Sequence, residues 1–234
     1  MTMRITVEEA TAALAAAQKP GRGVPAYLRW VNRPLGGRFA VFAAARGMTP
    51  DHVTALSAAC GAVAVAVLCL WITPAAGPVA ALLLLIGYVL DSADGQLARI
   101  QRTGGPAGEW LDHVVDGIRG PAVHVALAVH LYRADAPEWI LGVCLLFSVI
   151  VSSWFLSQLL AEKLTPVSRA SPGEGAGIAD SFMKQPQDVS TTYAVIALLP
   201  LTAVFTLIYP ALLGWHALMF AGSLARKHRQ LSGR

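Results

Sequence analysis

The chain has 234 residues, 55% of them hydrophobic and only 14% charged, and its mean hydropathy is +0.55. A soluble globular domain carries about a quarter charged residues, so this sequence lacks the polar surface to stay dissolved; disorder, a coiled coil and a secreted disulfide scaffold are excluded by the same figures. Its net charge of +4 and isoelectric point near 9.2 would suit a nucleic-acid partner, but the positions of the basic residues argue against nucleic acid and for an all-α integral membrane protein.

The first 50 residues hold no apolar run like a signal-peptide core, so no cleaved leader is expected, and they read as a cytoplasmic segment (1–50). Within it, Tyr27–Arg46 mixes Trp30, Leu35, Phe39, Val41 and Phe42 with Arg29, Arg33, Arg38 and Arg46. That pattern predicts an amphipathic helix lying in the membrane surface, with a basic juxtamembrane linker as the alternative. A membrane domain (51–228) follows, then a short cytoplasmic tail (229–234). Crossing about 30 Å of hydrocarbon takes roughly 20 mostly apolar residues. Six stretches qualify as transmembrane helices: 53–72, 77–98, 108–132, 138–161, 191–209 and 210–228, the last two parted at Tyr209-Pro210. Six spans put both termini on one side. Of the 18 Lys and Arg, only Arg133 then falls on the other side, which places the termini in the cytoplasm. Trp71, Tyr132, Trp139, Tyr209 and Trp215 gather at the outer ends as an interfacial belt. The excess basic charge is explained by topology and by contact with anionic membrane lipids. Cys60, Cys69 and Cys144 sit in apolar runs and are expected to pack as small hydrophobes.

Four of the 14 acidic residues, Asp91, Asp94, Asp112 and Asp116, lie inside the second and third spans. Each would cost about 2.5–3.5 kcal/mol at mid-bilayer, less near the interface. Asp91 and Asp94, three apart, share one helix face; Asp112 and Asp116, four apart, share another. A short link around Thr103–Pro106 joins the two spans, so the faces can meet. Four adjacent carboxylates repel unless cations lie between them, and an all-oxygen set suits magnesium or manganese. A pair of such ions stabilises charge on a transferring phosphoryl group. Gly95, Ala98 and Gly108 are small enough to let a bulky ligand approach, and Arg99 could contact a phosphate. An ion-coupled transporter is the competing reading of intramembrane carboxylates.

In full, Asp91-x-x-Asp94-Gly95-x-x-Ala98-Arg99, eight residues, then Gly108-x-x-x-Asp112-x-x-x-Asp116 resembles the signature of the CDP-alcohol phosphotransferases, with all eight fixed residues present across 26 positions. The resemblance implies a six-helix fold, a homodimer and a site open to the cytoplasm of a bacterial plasma membrane. It also implies displacement of CMP from a CDP-linked alcohol, such as CDP-diacylglycerol, by a second, polar alcohol. By the same resemblance Asp91, Asp94, Asp112 and Asp116 hold two divalent cations (Mg2+ or Mn2+), and Asp116 is the general base. Gly95, Ala98 and Arg99 line the CDP pocket, with Gly108 allowing close approach. The stretch Thr49-Pro50-Asp51-His52-Val53-Thr54 is similar to the family's segment before its first span, which assigns Asp51 and Thr54 to nucleotide binding; Asp51 could equally be a helix N-cap.

The acceptor is less legible. Arg119, three past Asp116, could bind an anionic acceptor or pair with the aspartates. Lys163, Arg169 and Lys184 could bind an acceptor phosphate, as in inositol-phosphate-using relatives, although the positive-inside bias alone puts cations there. The loop Thr165–Ser190 contains Ser171-Pro172-Gly173-Glu174-Gly175-Ala176-Gly177 and reads as a flexible lid or connector. Inositol phosphate and glycerol phosphate are the first acceptors expected. The alternative within the same chemistry moves a small phospho-polyol from a soluble CDP-alcohol onto a lipid.

Overall fold

The computed structural model describes residues 5–17, 23–164 and 178–232, and among them every regular element is helical. Helix α1 (Val7–Ala16) starts at a capping box: the Thr6 hydroxyl accepts from the Glu9 N–H at 3.2 Å, and the Glu9 carboxylate accepts from the Thr6 N–H at 2.8 Å. A π-helical turn, Leu28–Asn32, runs into α2 (Arg33–Ala45). This is the expected surface helix, with Trp30, Val31, Leu35 and Phe42 exposed along it. Its opposite face, Ala40, Ala43 and Ala44, is fully buried against Ala10, Ala93 and Leu97. The N-terminal segment is therefore packed onto the bundle.

Helices α3 (Pro50–Leu70), α4 (Ala76–Gln101), α5 (Pro106–Arg133) and α6 (Glu138–Leu164) are each long and apolar enough to cross a membrane, close to the predicted spans. The last predicted pair divides differently. After α7 (Ile178–Met183) and a 3-10 turn (Gln185–Gln187) comes α8 (Val189–Ile196), then α9 (Thr202–Leu231), with Pro210 inside it. Tyr209-Pro210 is thus no boundary; the break falls near Pro200 and Leu201 instead. A proline inside a membrane helix frees one carbonyl and is tolerated there. At 1.5 Å per residue the eight residues of α8 rise about 12 Å, too short to cross alone. Five helices, not six, have spanning length among the described residues.

Tyr209 also departs from expectation. It is fully buried, its hydroxyl 2.6 Å from His124 Nδ1 and its ring stacked on Phe205, so it belongs to the core and not to the outer aromatic belt. Trp71, Tyr132 and Trp139 are exposed near helix ends, whereas Trp215, also exposed, stands midway along α9 because that helix starts at Thr202, and so it too falls outside the expected belt. The three cysteines are free thiols, Cys144 buried in the core.

Two details place the site. Helices α4 and α5 are joined by a short link, and both pack against α3 and not closely on one another. Arg102 turns the chain with a left-handed backbone (φ 55°), the Thr103 N–H donates to Ala98 O at 3.0 Å, and Pro106 opens α5, where its missing N–H is no loss. Helices α3 and α4 approach closely at Gly87: a Cβ there would lie 3.3 Å from Ser57 O, and the Ser57 hydroxyl donates to Gly87 O at 2.8 Å. At the far end of α4, a Cβ on Gly77 would lie 2.6 Å from Ile196 O and from Leu199 Cβ. The chain through α8 therefore runs from its N-cap Asp188, beside Tyr88, to Leu199 in the turn after it, beside Gly77. Gly77→Ala must push α8 off α4 and should lower unfolding stability by about 1–3 kcal/mol, measured by denaturant titration in micelles.

Candidate functional site

This arrangement delivers Asp91 from α4 and Asp112 and Asp116 from α5 to one place, where a carboxylate oxygen from each lies within 4.8 Å of the others. Asp94 faces the same region but is spoken for. It is 6% exposed, and its two oxygens accept from the Thr54 hydroxyl and the Gly95 N–H, each at 2.5 Å. Thr54, expected at a nucleotide, thus orients an aspartate across the α3–α4 contact. Asp91, Asp94 and Asp112 border a cavity of about 180 Å³ that also takes in Arg33, Ser92, Gly95 and Arg99. Arg99 is half-buried and its Nε has no hydrogen-bond partner. Gln96 fixes the far wall by donating from Nε2 to Arg33 O at 3.1 Å, which ties α2 to α4.

A second cavity, of about 290 Å³, lies on the other side of Asp91. Asp116 and Arg119 border it from α5, Tyr88 from α4, and Asp188 and Tyr193 from the α8 region. Arg119 is 8% exposed, and its Nη2 donates to Asp91 Oδ1 and Asp116 Oδ1, both at 2.7 Å. Of the two sequence readings for Arg119, the geometry is that of the ion-pair partner. A bare Gly61 makes room for it: a Cβ there would touch Arg119 Cγ and Cδ at 3.5 Å. A third cavity of about 360 Å³ adjoins the second; Val123, Val151, Trp154 and Phe155 form an apolar part of its lining, and His124, Gln158, Lys184 and His216 a polar part.

The remaining expected site residues scatter. Thr49, not Asp51, caps α3, in a reciprocal pair with His52. Asp51 lies in the first turn, exposed, and a Cβ on Gly108 would stand 3.9 Å from its Oδ1. Ala98 is half-buried on α4. Lys163, exposed at the end of α6, pairs with Glu109. Lys184 pairs with Asp180 at 2.9 Å and donates to Gly23 O at 3.0 Å. Arg169 and part of the Thr165–Ser190 loop lie outside the described residues.

Sequence reasoning missed Tyr88, Asp188 and Tyr193. Tyr88 stands three residues before Asp91, a spacing that puts it on the same helix face. Asp188-Val189-Ser190 before an apolar run is a helix-start signal, and Asp188 does cap α8, accepting from the Ser190 N–H at 2.9 Å. Its other oxygen accepts from the Tyr88 hydroxyl at 2.9 Å. The Tyr27 ring stacks on Tyr88, with centroids 6.3 Å apart. Burial, with the Asp188 carboxylate beside it, pushes the Tyr27 phenol up from its ordinary value. No local pattern marks Tyr193.

Fold and site together define a helical membrane protein with an acidic centre between two cavities. The chain belongs to the CDP-alcohol phosphatidyltransferase family, whose model matches residues 47–223 and so spans α3 to α9. The general activity is transfer of a substituted phosphate group from a CDP-linked alcohol to a second alcohol. Comparison with curated proteins gives no match.

Removing one partner of a buried ion pair leaves the other uncompensated, at a cost of about 3–5 kcal/mol. Arg119→Met should therefore lower the thermal midpoint in micelles by several degrees without added metal. Arg119→Lys, which keeps the charge, should lose less.

Proposed function

We propose that the protein transfers a phosphatidyl group from CDP-diacylglycerol to a hydroxylated polar acceptor and releases CMP. The observation that carries this reading is that Asp91 borders two cavities at once, a small one with Arg99 and a larger one with Asp116. A nucleotide pyrophosphate held in the first would present its reacting phosphorus to an alcohol held in the second. Arg33 and Arg99 supply positive charge to the first cavity, and the unpartnered Arg99 Nε is a donor for phosphate oxygen. The apolar part of the adjoining cavity, Val123, Val151, Trp154 and Phe155, suits an acyl chain, which favours a lipid donor over a soluble CDP-alcohol.

The acceptor hydroxyl oxygen forms a bond to the phosphorus that carries the diacylglycerol. The bond from that phosphorus to the bridging oxygen breaks, CMP leaves with the electron pair, and the hydroxyl proton passes to the Asp116 carboxylate. Arg119 holds Asp116 Oδ1 and leaves its second oxygen for that proton. The oxygen-only donor set of Asp91, Asp112 and Asp116 fits hard divalent ions, so these three, with Asp94 on the first cavity through the lone pairs that Thr54 and Gly95 leave, would hold Mg2+ or Mn2+, two ions on our reading. When bound, such ions neutralise charge on the pyrophosphate and the leaving CMP. Thr54 keeps Asp94 aimed, and Gly95 adds no side chain at the mouth of the first cavity. The excess of Lys and Arg at the end of the bundle that carries the site favours an opening to the cytoplasm.

Purified protein in micelles, given Mn2+ and CDP-diacylglycerol, should release CMP when an acceptor alcohol is added and stop when EDTA is added. Asp91→Asn should insert normally and lose at least about 100-fold in turnover. Turnover near the parent value would overturn the assignment. Equal CMP release from a soluble CDP-alcohol with a lipid acceptor would favour the reverse arrangement.

A further inference from the structure

We infer that the acceptor is an uncharged polyol without a phosphate, selected by Asp188 and Tyr88 on the wall of the second cavity facing Asp116; this rests on the transfer reaction proposed above. At about 290 Å³ the cavity sits at the lower end of small-molecule pockets, which run from about 300 to 1,000 Å³, and so fits a compact acceptor. Of the described charged side chains that line it, Asp91 and Asp116 belong to the proposed metal site and share Arg119, so Asp188 is the charge that an acceptor meets on the opposite wall.

Arg119 is held by two carboxylates: its Nη2 is shared between Asp91 and Asp116, and its buried Nε, without a partner, is left as a donor for one acceptor oxygen. Asp188 is 4% exposed, and its described partners are neutral donors, the Tyr88 hydroxyl and the Ser190 N–H and hydroxyl. Its charge has no ion-pair partner among the described residues, so a phosphate dianion brought beside it would meet an uncompensated like charge in a poorly hydrated place. A hydroxyl can donate to it instead. The Tyr88 oxygen, whose own proton goes to Asp188, keeps its lone pairs for a second hydroxyl. Among the described residues, the two lysines expected at an acceptor phosphate are engaged elsewhere: Lys184, on the adjoining cavity, with Asp180 and Gly23 O, and Lys163 with Glu109 at the surface.

The wall is also held rigid, as selection requires. The Tyr27 N–H donates to Gln185 Oε1 at 2.7 Å, and Gln185 Nε2 donates to the Ser190 and Thr191 hydroxyls at 3.1 Å. The Tyr27 ring lies nearly parallel to that of Tyr88, at 13°. A loop before α8, the N-terminal segment and α4 thus fix Asp188 together.

The test is CMP release from CDP-diacylglycerol with Mn2+, using the full chain and a panel of myo-inositol, glycerol, inositol 1-phosphate, glycerol 3-phosphate, serine and ethanolamine. The expected result is turnover with a neutral polyol and little with either phosphate ester. Faster turnover with a phosphate ester or an amino alcohol overturns the inference but leaves the transfer reaction standing. Release with no acceptor in the panel overturns both. Asp188→Asn separates selection from folding, because Asn caps a helix as well as Asp does. It should raise KM for the polyol about tenfold, the worth of one hydrogen bond to a charged group, and admit the phosphorylated acceptors. KM for CDP-diacylglycerol should stay unchanged. An unaltered polyol KM with phosphate esters still excluded would mean that Asp188 only caps α8, and would also overturn the inference.

Discussion

Three carboxylates within 4.8 Å of one another inside an apolar bundle make a charge concentration that the fold must hold in place. One buried guanidinium does so from within, since Arg119 reaches back across its own helix to Asp116 and over to Asp91 on α4. Much of the surrounding architecture serves that contact. Gly61 on α3 leaves space for the arginine stem, Gly87 lets α3 and α4 approach, and the α4–α5 link turns within a few residues so that both aspartate pairs share a level. Asp94 is stabilised by another route, with Thr54 and a backbone N–H satisfying both oxygens. The acidic centre is thus held by specific partners in the chain, whichever ions the substrate brings with it.

What the sequence made legible follows from period and spacing. The helical repeat alone puts Asp91 with Asp94 and Asp112 with Asp116; the short link lets the two faces meet, and packing of both helices on α3 brings them to one place. Long apolar runs located α3 to α6 within a few residues, because bilayer thickness fixes their length. The same reasoning failed at the C-terminal end. A proline beside a tyrosine looked like a boundary, yet the tyrosine is buried on His124 and the helix continues through the proline. Helix α1 shows the opposite case: Thr6-Val7-Glu8-Glu9 is a readable start signal that was passed over amid the polar N-terminus.

The second cavity was hidden for a different reason. Its walls come from residues far apart in the chain, Tyr88 and Asp188 being 100 positions apart, and neither carries a spacing signal that points to the other. The cations singled out for an acceptor, by contrast, were conspicuous only because charge is scarce in this chain. Two of them, Lys163 and Lys184, turn out to tie separate segments together, through Glu109 on α5 and Gly23 O in the N-terminal segment. A scarce charge in a membrane protein marks a place where something must be neutralised; the neutralising group is set by tertiary contact alone.

The position of Asp91, on the partition between two compartments, has a thermodynamic corollary. A charge brought into one compartment alters the field in the other through that shared carboxylate, so the affinities of the two occupants are linked. Linkage of this kind is reciprocal: whatever factor the first ligand confers on the second, the second confers on the first. Synergy between the two need not await any large rearrangement of the helices, because one side chain already belongs to both.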